Sequence, residues 1–263
     1  MMRAIIFVYA MLYMAHTANC FAFQNLIANF KSPLEQFGGK SQREETAKLL
    51  EDQLIEAIQD QGNRLANSER VSTLIAELES MSDVSIPEPA IAPEVYGRWR
   101  LIYTTNADTS SPIQKKAVDS QSFPIYQDIV FNDSNQLLVK QVVQFSETNQ
   151  LSVDALASTA AYPLPELTER KTKGDVLGLN LLGVSLVGEE AKPDPKRPNS
   201  RVDFVFDEGN FNFGSVKIPY PVPFRLPILR DIVKGWIDIT WLSDRLRISR
   251  GNKGTTFVLL KED

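Results

Sequence analysis

Across its 263 residues the chain sets 28 lysines and arginines against 33 aspartates and glutamates, a net charge of −5 that leaves no basic footprint for nucleic acid. A hydrophobic content of 43% suits a globular chain with a sizeable core and argues against disorder throughout. The one cysteine, Cys20, and the one histidine, His16, lie so early that a mature chain starting after Cys20 lacks both, which excludes disulfides, thiolate nucleophiles, histidine triads and His/Cys zinc sites.

The first predicted element is a leader. Residues 1–20, MMRAIIFVYAMLYMAHTANC, place Arg3 ahead of an apolar run from Ala4 to Ala15. Ala18 and Cys20 then supply small residues at the −3 and −1 sites of a signal-peptidase cut. The run is short for a membrane span, so a signal peptide is expected, with an uncleaved anchor as the alternative. With Arg3 removed, 27 basic residues face 33 acidic ones, a net charge of −6. Phe21 follows the cut directly, and the next stretch carries lysine, arginine and serine with a single acid. This order resembles the bipartite plastid presequence of algae with secondary, red-type plastids, and it marks residues 21–40 as a transit segment. Plain secretion is the other reading, under which Asn132-Asp133-Ser134 is a possible glycosylation sequon.

A helix is predicted from about residue 41 to 61. Ser41 and Glu44 fit a capping box, and Ala47, Leu50, Leu54 and Ile58 recur at helical spacing until Gly62 stops them. A second helix over 67–81 puts Val71, Leu74, Ile75 and Leu78 on one face. Together they form a helical hairpin over 41–81 with an apolar stripe to bury. Pro87, Pro89 and Pro93 end the helical region.

From residue 95 to 263 the period becomes two, the signature of strands. Trp99, Leu101 and Tyr103 share a phase in GRWRLIYTT, followed by Ile125 to Phe131, Leu137 to Phe145 and Leu151 to Ala157. Val202, Phe204 and Phe206 alternate with Asp203, Val205 and Asp207; a turn is expected at 207–210 before Phe211 to Ile218. Gly235 to Leu242, Leu246 to Arg250 and Thr255 to Lys261 complete the set, with further turns at 132–135, 243–244 and 251–254. About eight short antiparallel strands, each with one apolar face, indicate a barrel or sandwich; a barrel of that size can hold one small ligand. Residues 173–200 read as a long inserted loop. The proline-rich, apolar run from Pro219 to Arg230 reads as a loop over one barrel end or as a lip dipping into a membrane.

Two stretches carry a family resemblance. Leu78 to Thr105 leads from a helix through a Pro-x-Pro linker into Gly-x-Trp-x-Leu-x-Tyr-Thr, and Leu246 to Gly254 reads LRISRGNKG. Both are similar to the opening and closing motifs of the plastid lipid-associated protein (fibrillin) domain, and the similarity extends from about Thr46 to Lys261. The resemblance implies a mainly β fold: a lipocalin-like antiparallel β-barrel preceded by the helical hairpin, filling residues 41–263. It further implies a non-enzymatic protein on the stromal side of thylakoids or at plastoglobules, binding prenyl lipids, carotenoids or other apolar lipids. The alternatives are a surface coat or scaffold of plastid lipid droplets with no internal ligand. An apolar lipid or pigment and a plastid membrane or plastoglobule surface are the implied partners, with no cofactor, no metal and no nucleic acid.

Gly97-x-Trp99 also resembles the first lipocalin motif, in which a tryptophan at the barrel floor stacks on an arginine of the last strands; Arg247 and Arg250 are the candidates for that arginine. The stack can close the barrel or help hold a ligand, and both readings stand. An apolar, aromatic-lined pocket with a few orienting polar groups can draw on Tyr103, Phe131, Phe145, Phe204, Phe206, Trp236 and Trp241. Alternation turns about half of any strand outward, so not all of these share one face. Asp238, between Ile237 and Ile239, is placed either to meet a head group or to face solvent. Candidate ligand-binding residues are therefore Trp99, Tyr103, Phe131, Phe204, Phe206, Trp236, Asp238, Trp241, Arg247 and Arg250.

Overall fold

The computed structural model describes residues 39–60, 69–105, 123–168, 180–181, 184–185, 193–220, 225, 234–251 and 255–262. Outside them lie the expected signal peptide, the transit segment up to residue 38, most of the loop expected at 173–200, the proline-rich run beyond Tyr220 apart from Arg225, and the 252–254 part of the last turn. The chain divides into two units, residues 1–45 and 46–263, and the second holds every element below except the first turns of the opening helix.

Two helices come first, α1 (Lys40–Asp60) and α2 (Glu69–Ser80). On α2 the buried residues Val71, Leu74, Ile75 and Leu78 are the stripe read from the sequence; on α1 Ala47, Leu54 and Ile58 of the expected stripe are buried, Leu50 is partly buried, and Glu51 and Ala57 join the buried face. The linker after α2 is pinned to the sheet: the Ile86 N–H donates to the Leu242 carbonyl at 2.9 Å and the Ala90 N–H to the Asn199 carbonyl at 2.8 Å. A single 3-10 turn, Pro93–Val95, delivers the chain to the first strand.

The strands are β1 (Gly97–Thr104), β2 (Ile125–Phe131), β3 (Leu137–Gln144), β4 (Asn149–Ser158), β5 (Asn180–Leu181), β6 (Val184–Ser185), β7 (Arg201–Phe213), β8 (Val216–Pro219), β9 (Lys234–Leu242), β10 (Leu246–Gly251) and β11 (Thr256–Glu262). Eight of them run antiparallel in the order β4-β3-β2-β1-β11-β10-β9-β7, and pairing of β4 with β7 closes the ring. β8 extends β7 as a hairpin beyond the ring, and β5 and β6 pair separately. Closure removes the free sheet edges that an open eight-stranded sheet would expose.

The barrel has two apolar faces, and each is used. Trp99, Leu101, Ile129, Val139, Val153, Ile237 and Leu259 belong to the inner core. Tyr103, Trp241, Leu246, Ile248 and Val258, on the outer face of β1, β9, β10 and β11, pack instead against the helical stripes. Tyr103 does not share the face of Trp99 and Leu101 as simple alternation predicts. The register slips between Leu101 and Tyr103, where Leu259 is followed by Val258 as partner, and this bulge turns Tyr103 outward under the helices.

A second bulge replaces the turn expected at 207–210. β7 runs unbroken for 13 residues, with Asp207 as the extra residue between the Phe206–Ala155 and Glu208–Asp154 pairs. The polar residues that suggested a turn are satisfied on the strand: Glu208 accepts from Asn210 at 2.9 Å and from Lys217 at 3.0 Å. The turn lies instead at Gly214 and Ser215, where Gly214 has a φ of +58° that favours glycine.

Candidate functional site

The floor of the barrel is built around Trp99, which is fully buried and donates its indole N–H to the Val95 carbonyl at 2.8 Å. Two cations meet its ring: the Arg247 guanidinium lies 4.8 Å from the centroid and the Lys261 Nζ 4.6 Å. Register explains the meeting, since Lys261 is the β11 partner of Trp99 and Arg247 pairs with Leu259 two residues back. Lys261 donates to the carbonyls of Glu94 and Tyr96, which ties the 3-10 turn across the barrel end. Burial and the neighbouring Arg247 hold Lys261 below its ordinary pKa.

Arg247 is the unusual member. Its exposure is 0%, and its Nη2 donates to the Gln127 Oε1. Among the described residues its Nε and Nη1 find no hydrogen-bond acceptor, and no carboxylate pairs with it. Burial pushes its pKa down to about 9, which still leaves a cation at neutral pH.

Above the floor the inner wall carries a short polar band in an apolar setting. Gln127 on β2 faces Gln141 on β3, and Ser249 projects from β10 with its hydroxyl buried and without a protein partner among the described residues. Leu101, Ile125, Tyr126, Ile237, Phe257 and Leu259 complete the wall around a cavity of about 40 Å³. A cavity of that size holds a head group or a few waters, whereas pockets that take a whole drug-sized ligand measure roughly 300–1,000 Å³.

The ten candidate residues separate into three groups. Trp99, Arg247, Phe131, Phe204 and Phe206 belong to the inner face or pack against the inner core. Tyr103, Trp241 and Arg250 lie between barrel and helices: the Trp241 indole donates to the Glu51 carboxylate at 2.8 Å, and Arg250 forks onto Glu79 at 2.8 and 2.7 Å. Trp236 and Asp238 share the outer face of β9, where Arg201 lies 3.9 Å above the indole and forks onto Asp238 with two bonds of 2.6 Å. Of the two arginines offered as the partner of Trp99, the structure selects Arg247. Phe145, on the inner side, meets Phe123 edge-on at 5.3 Å.

Phe204 shows how tightly the inner wall is filled. A Cβ on Gly235 would sit 2.6 Å from its ring, so this β9 position accepts only glycine without movement. Gln127, Gln141, Ser249 and Lys261 were not singled out by motif or by aromatic content. Their signal was present as polar residues in the apolar phase of otherwise hydrophobic strands. Among the described residues no helix is long and apolar enough to cross a membrane, and no group of His, Cys, Asp and Glu is placed to hold a metal.

Residues 48–260 match the family model PAP_fibrillin. The chain belongs to the PAP_fibrillin family. It is 36% identical over 197 residues to a probable plastid-lipid-associated protein 12, chloroplastic, of Arabidopsis thaliana, an alignment covering 73% of this chain and 38% of that relative. It is 29% identical over 213 residues to a chromoplast-specific carotenoid-associated protein of Cucumis sativus, covering 77% and 64%. A light-induced chloroplastic protein of Solanum tuberosum is 24% identical over 237 residues, covering 81% and 67%. The chain thus spans between about two fifths and two thirds of the length of these relatives. No solved structure matches it. In this fibrillin the two stretches that carry the family resemblance, β1 and β10, are the strands that bring Trp99 and Arg247 together at the floor.

Proposed function

We propose that this fibrillin is a plastid protein that binds apolar lipids or pigments inside its barrel and holds them at thylakoids or plastoglobules, without a chemical step. The observation that carries the reading is the inner face: an apolar wall with one cationic floor and a short polar band, the composition expected of a site that orients an amphiphilic guest. Relatives named for carotenoid and plastid-lipid association support the lipid class and the plastid, and the bipartite presequence read from residues 1–40 supports the route. Because the cavity is about 40 Å³, a long guest enters only if inner-wall side chains such as Phe204, Phe206 and Phe257 swing aside.

A second reading, a coat on lipid surfaces, is favoured by the β7–β8 hairpin. Phe213, Val216 and Ile218 are each about half exposed and lie on one face, since Phe211 pairs with Ile218 and Phe213 with Val216. A row of exposed apolar side chains on a projecting hairpin suits contact with a lipid surface.

The test is to incubate the purified chain with a plastid lipid extract, re-isolate it by size exclusion and identify bound lipids by mass spectrometry. One prenyl lipid, carotenoid or acyl lipid at near-stoichiometric amount is expected. Background lipid only, on a folded β-rich protein, would overturn internal carriage and leave the coat.

A further inference from the structure

We infer that the barrel floor is a carboxylate subsite: the guest is a single-chain lipid acid whose head group is held by Arg247, with Ser249 and Gln127 beside it. The inference rests on the reading above that a lipid is bound inside the barrel, and it names the class of that lipid.

One interior charge is left uncompensated among the described residues. Arg247 is wholly buried, yet its protein partners are the Trp99 ring and one amide oxygen, both neutral. A desolvated cation–π contact contributes about 2 kcal/mol. The effective penalty for burying an ion is several kcal/mol, so the ring and the amide offset only part of it. Other arginines of the same region are treated differently. Arg201 forks onto Asp238, Arg250 onto Glu79, and Arg245 reaches Glu51 at 2.6 Å. The one guanidinium that faces the barrel interior is the one without a carboxylate among the described residues.

The neighbouring groups fit the same ligand. The unused donors are Nε and Nη1 of Arg247 and the Ser249 hydroxyl, two residues along the same strand and on the same face. Gln127, which takes one Arg247 donor, and Ser249 both line the cavity of about 40 Å³; Arg247 itself does not line it and adjoins it through Gln127, so a head group reaches the guanidinium past these two side chains. With one Nη2 hydrogen taken by Gln127, one edge of the guanidinium remains, made by Nε or Nη1 with the other Nη2 hydrogen, and its two parallel donors match the two oxygens of a carboxylate. A neutral ester or alcohol offers acceptors without the charge that the site lacks. The volume accommodates a group about the size of one carboxylate, since a single water needs roughly 10–15 Å³ of such space. Leu101, Ile125, Ile237 and Phe257 line the same cavity and give it the apolar wall that the start of an acyl chain would meet.

The experiment compares oleic acid, methyl oleate and oleyl alcohol, each labelled with carbon-13 at C1, for binding to the full chain and to two variants, Arg247→Gln and Ser249→Ala. The expected result is binding of the acid at least tenfold tighter than of ester or alcohol. Arg247→Gln should remove that margin, and Ser249→Ala should reduce it severalfold. The carboxyl carbon resonance of bound acid should also stay in its ionised position well below the pH at which free acid titrates. Acid and ester bound equally by the wild-type chain would overturn the carboxylate subsite and leave lipid carriage standing. None of the three bound would overturn the lipid-acid assignment, and the lipid-extract experiment above would then decide carriage on its own. An acid margin that survives in a folded Arg247→Gln chain would move the head group elsewhere and overturn the assignment. If Arg247→Gln does not fold, Ser249→Ala and the carbon-13 titration decide the matter in the same two directions.

Discussion

At the scale of single residues, the inner wall mixes tight packing with one buried charge, Arg247, that stacks on Trp99. Arg247 contributes a charge to the interior with no anion to balance it among the described residues. Replacing such a buried charge with an apolar side chain of similar volume is commonly neutral or stabilising. Arg247→Met is therefore expected to unfold in urea at the wild-type midpoint or above it, by up to about 2 kcal/mol. A loss of more than about 3 kcal/mol would mean that the Trp99 stack itself holds the barrel shut. Gly235→Ala makes the opposite case, since its methyl would press on the Phe204 ring at 2.6 Å. A cost of about 1–3 kcal/mol is expected, and Phe204→Leu in the same chain should recover much of it in a double-mutant cycle. Tyr103 gives a pH signature. Burial raises its pKa from the ordinary 10.0, opposed in part by its hydrogen bond with Ser72, so the folded state keeps a proton that the unfolded chain releases. That contribution is present below the unfolded pKa and is lost as pH rises through the folded one. Tyr103→Phe should flatten the fall of melting temperature above about pH 10. Tyr96, also raised by burial, leaves a residual slope.

At the scale of elements, the helices are fastened to the barrel by charge as well as by apolar area. Glu51 on α1 is 2% exposed, accepts from Trp241 and Arg245, and has Asp52 beside it paired with the same arginine at 2.7 Å. On α2, Glu79 holds Arg250 through its carboxylate, and its carbonyl accepts from Arg197 at 2.8 Å. Glu51→Ala strands the Trp241 N–H and a half-buried guanidinium, and about 3 kcal/mol of stability should be lost in urea titrations. Glu79→Ala touches a pair with Arg250 at 44% exposure and should cost about 1 kcal/mol or less. Much of this level was legible in the sequence. The helical stripes and the boundaries of β1, β2, β3, β9, β10 and β11 follow from the sequence to within a residue or so, because apolar alternation starts and turn residues stop each strand. What periodicity missed were the bulges. One inserted residue at 102 or 207 reverses the phase of everything after it, and nothing local in the sequence marks such a slip. That is why Tyr103 was grouped with Trp99, and why the acidic stretch at 207–210 read as a turn.

At the scale of the whole molecule, the barrel carries apolar residues on both faces, and aromatic content alone could not say which face each ring serves. Trp241 and Tyr103 bury against helices, Trp236 lies outside under Arg201, and Phe204 and Phe206 pack on the inner core. The site was legible only as far as family motifs paired β1 with β10. The glutamines and serine of the inner band needed the three-dimensional register to bring them together. The same division predicts that a chain lacking residues 40–81 exposes Tyr103, Trp241, Leu246, Ile248 and Val258 at once and aggregates or binds a hydrophobic dye, unlike the full chain.

The central claim is that the guest lies inside the barrel, and a photocrosslinking measurement tests it most directly. A lipid acid with a diazirine along its chain would be bound to the full protein, irradiated, and its adducts mapped by peptide mass spectrometry. Adducts on the inward residues Leu101, Ile125, Ile237, Phe257 and Leu259 are predicted. Adducts confined to Phe213, Val216 and Ile218 of the β7–β8 hairpin would contradict internal carriage and identify the protein as a coat on the lipid surface.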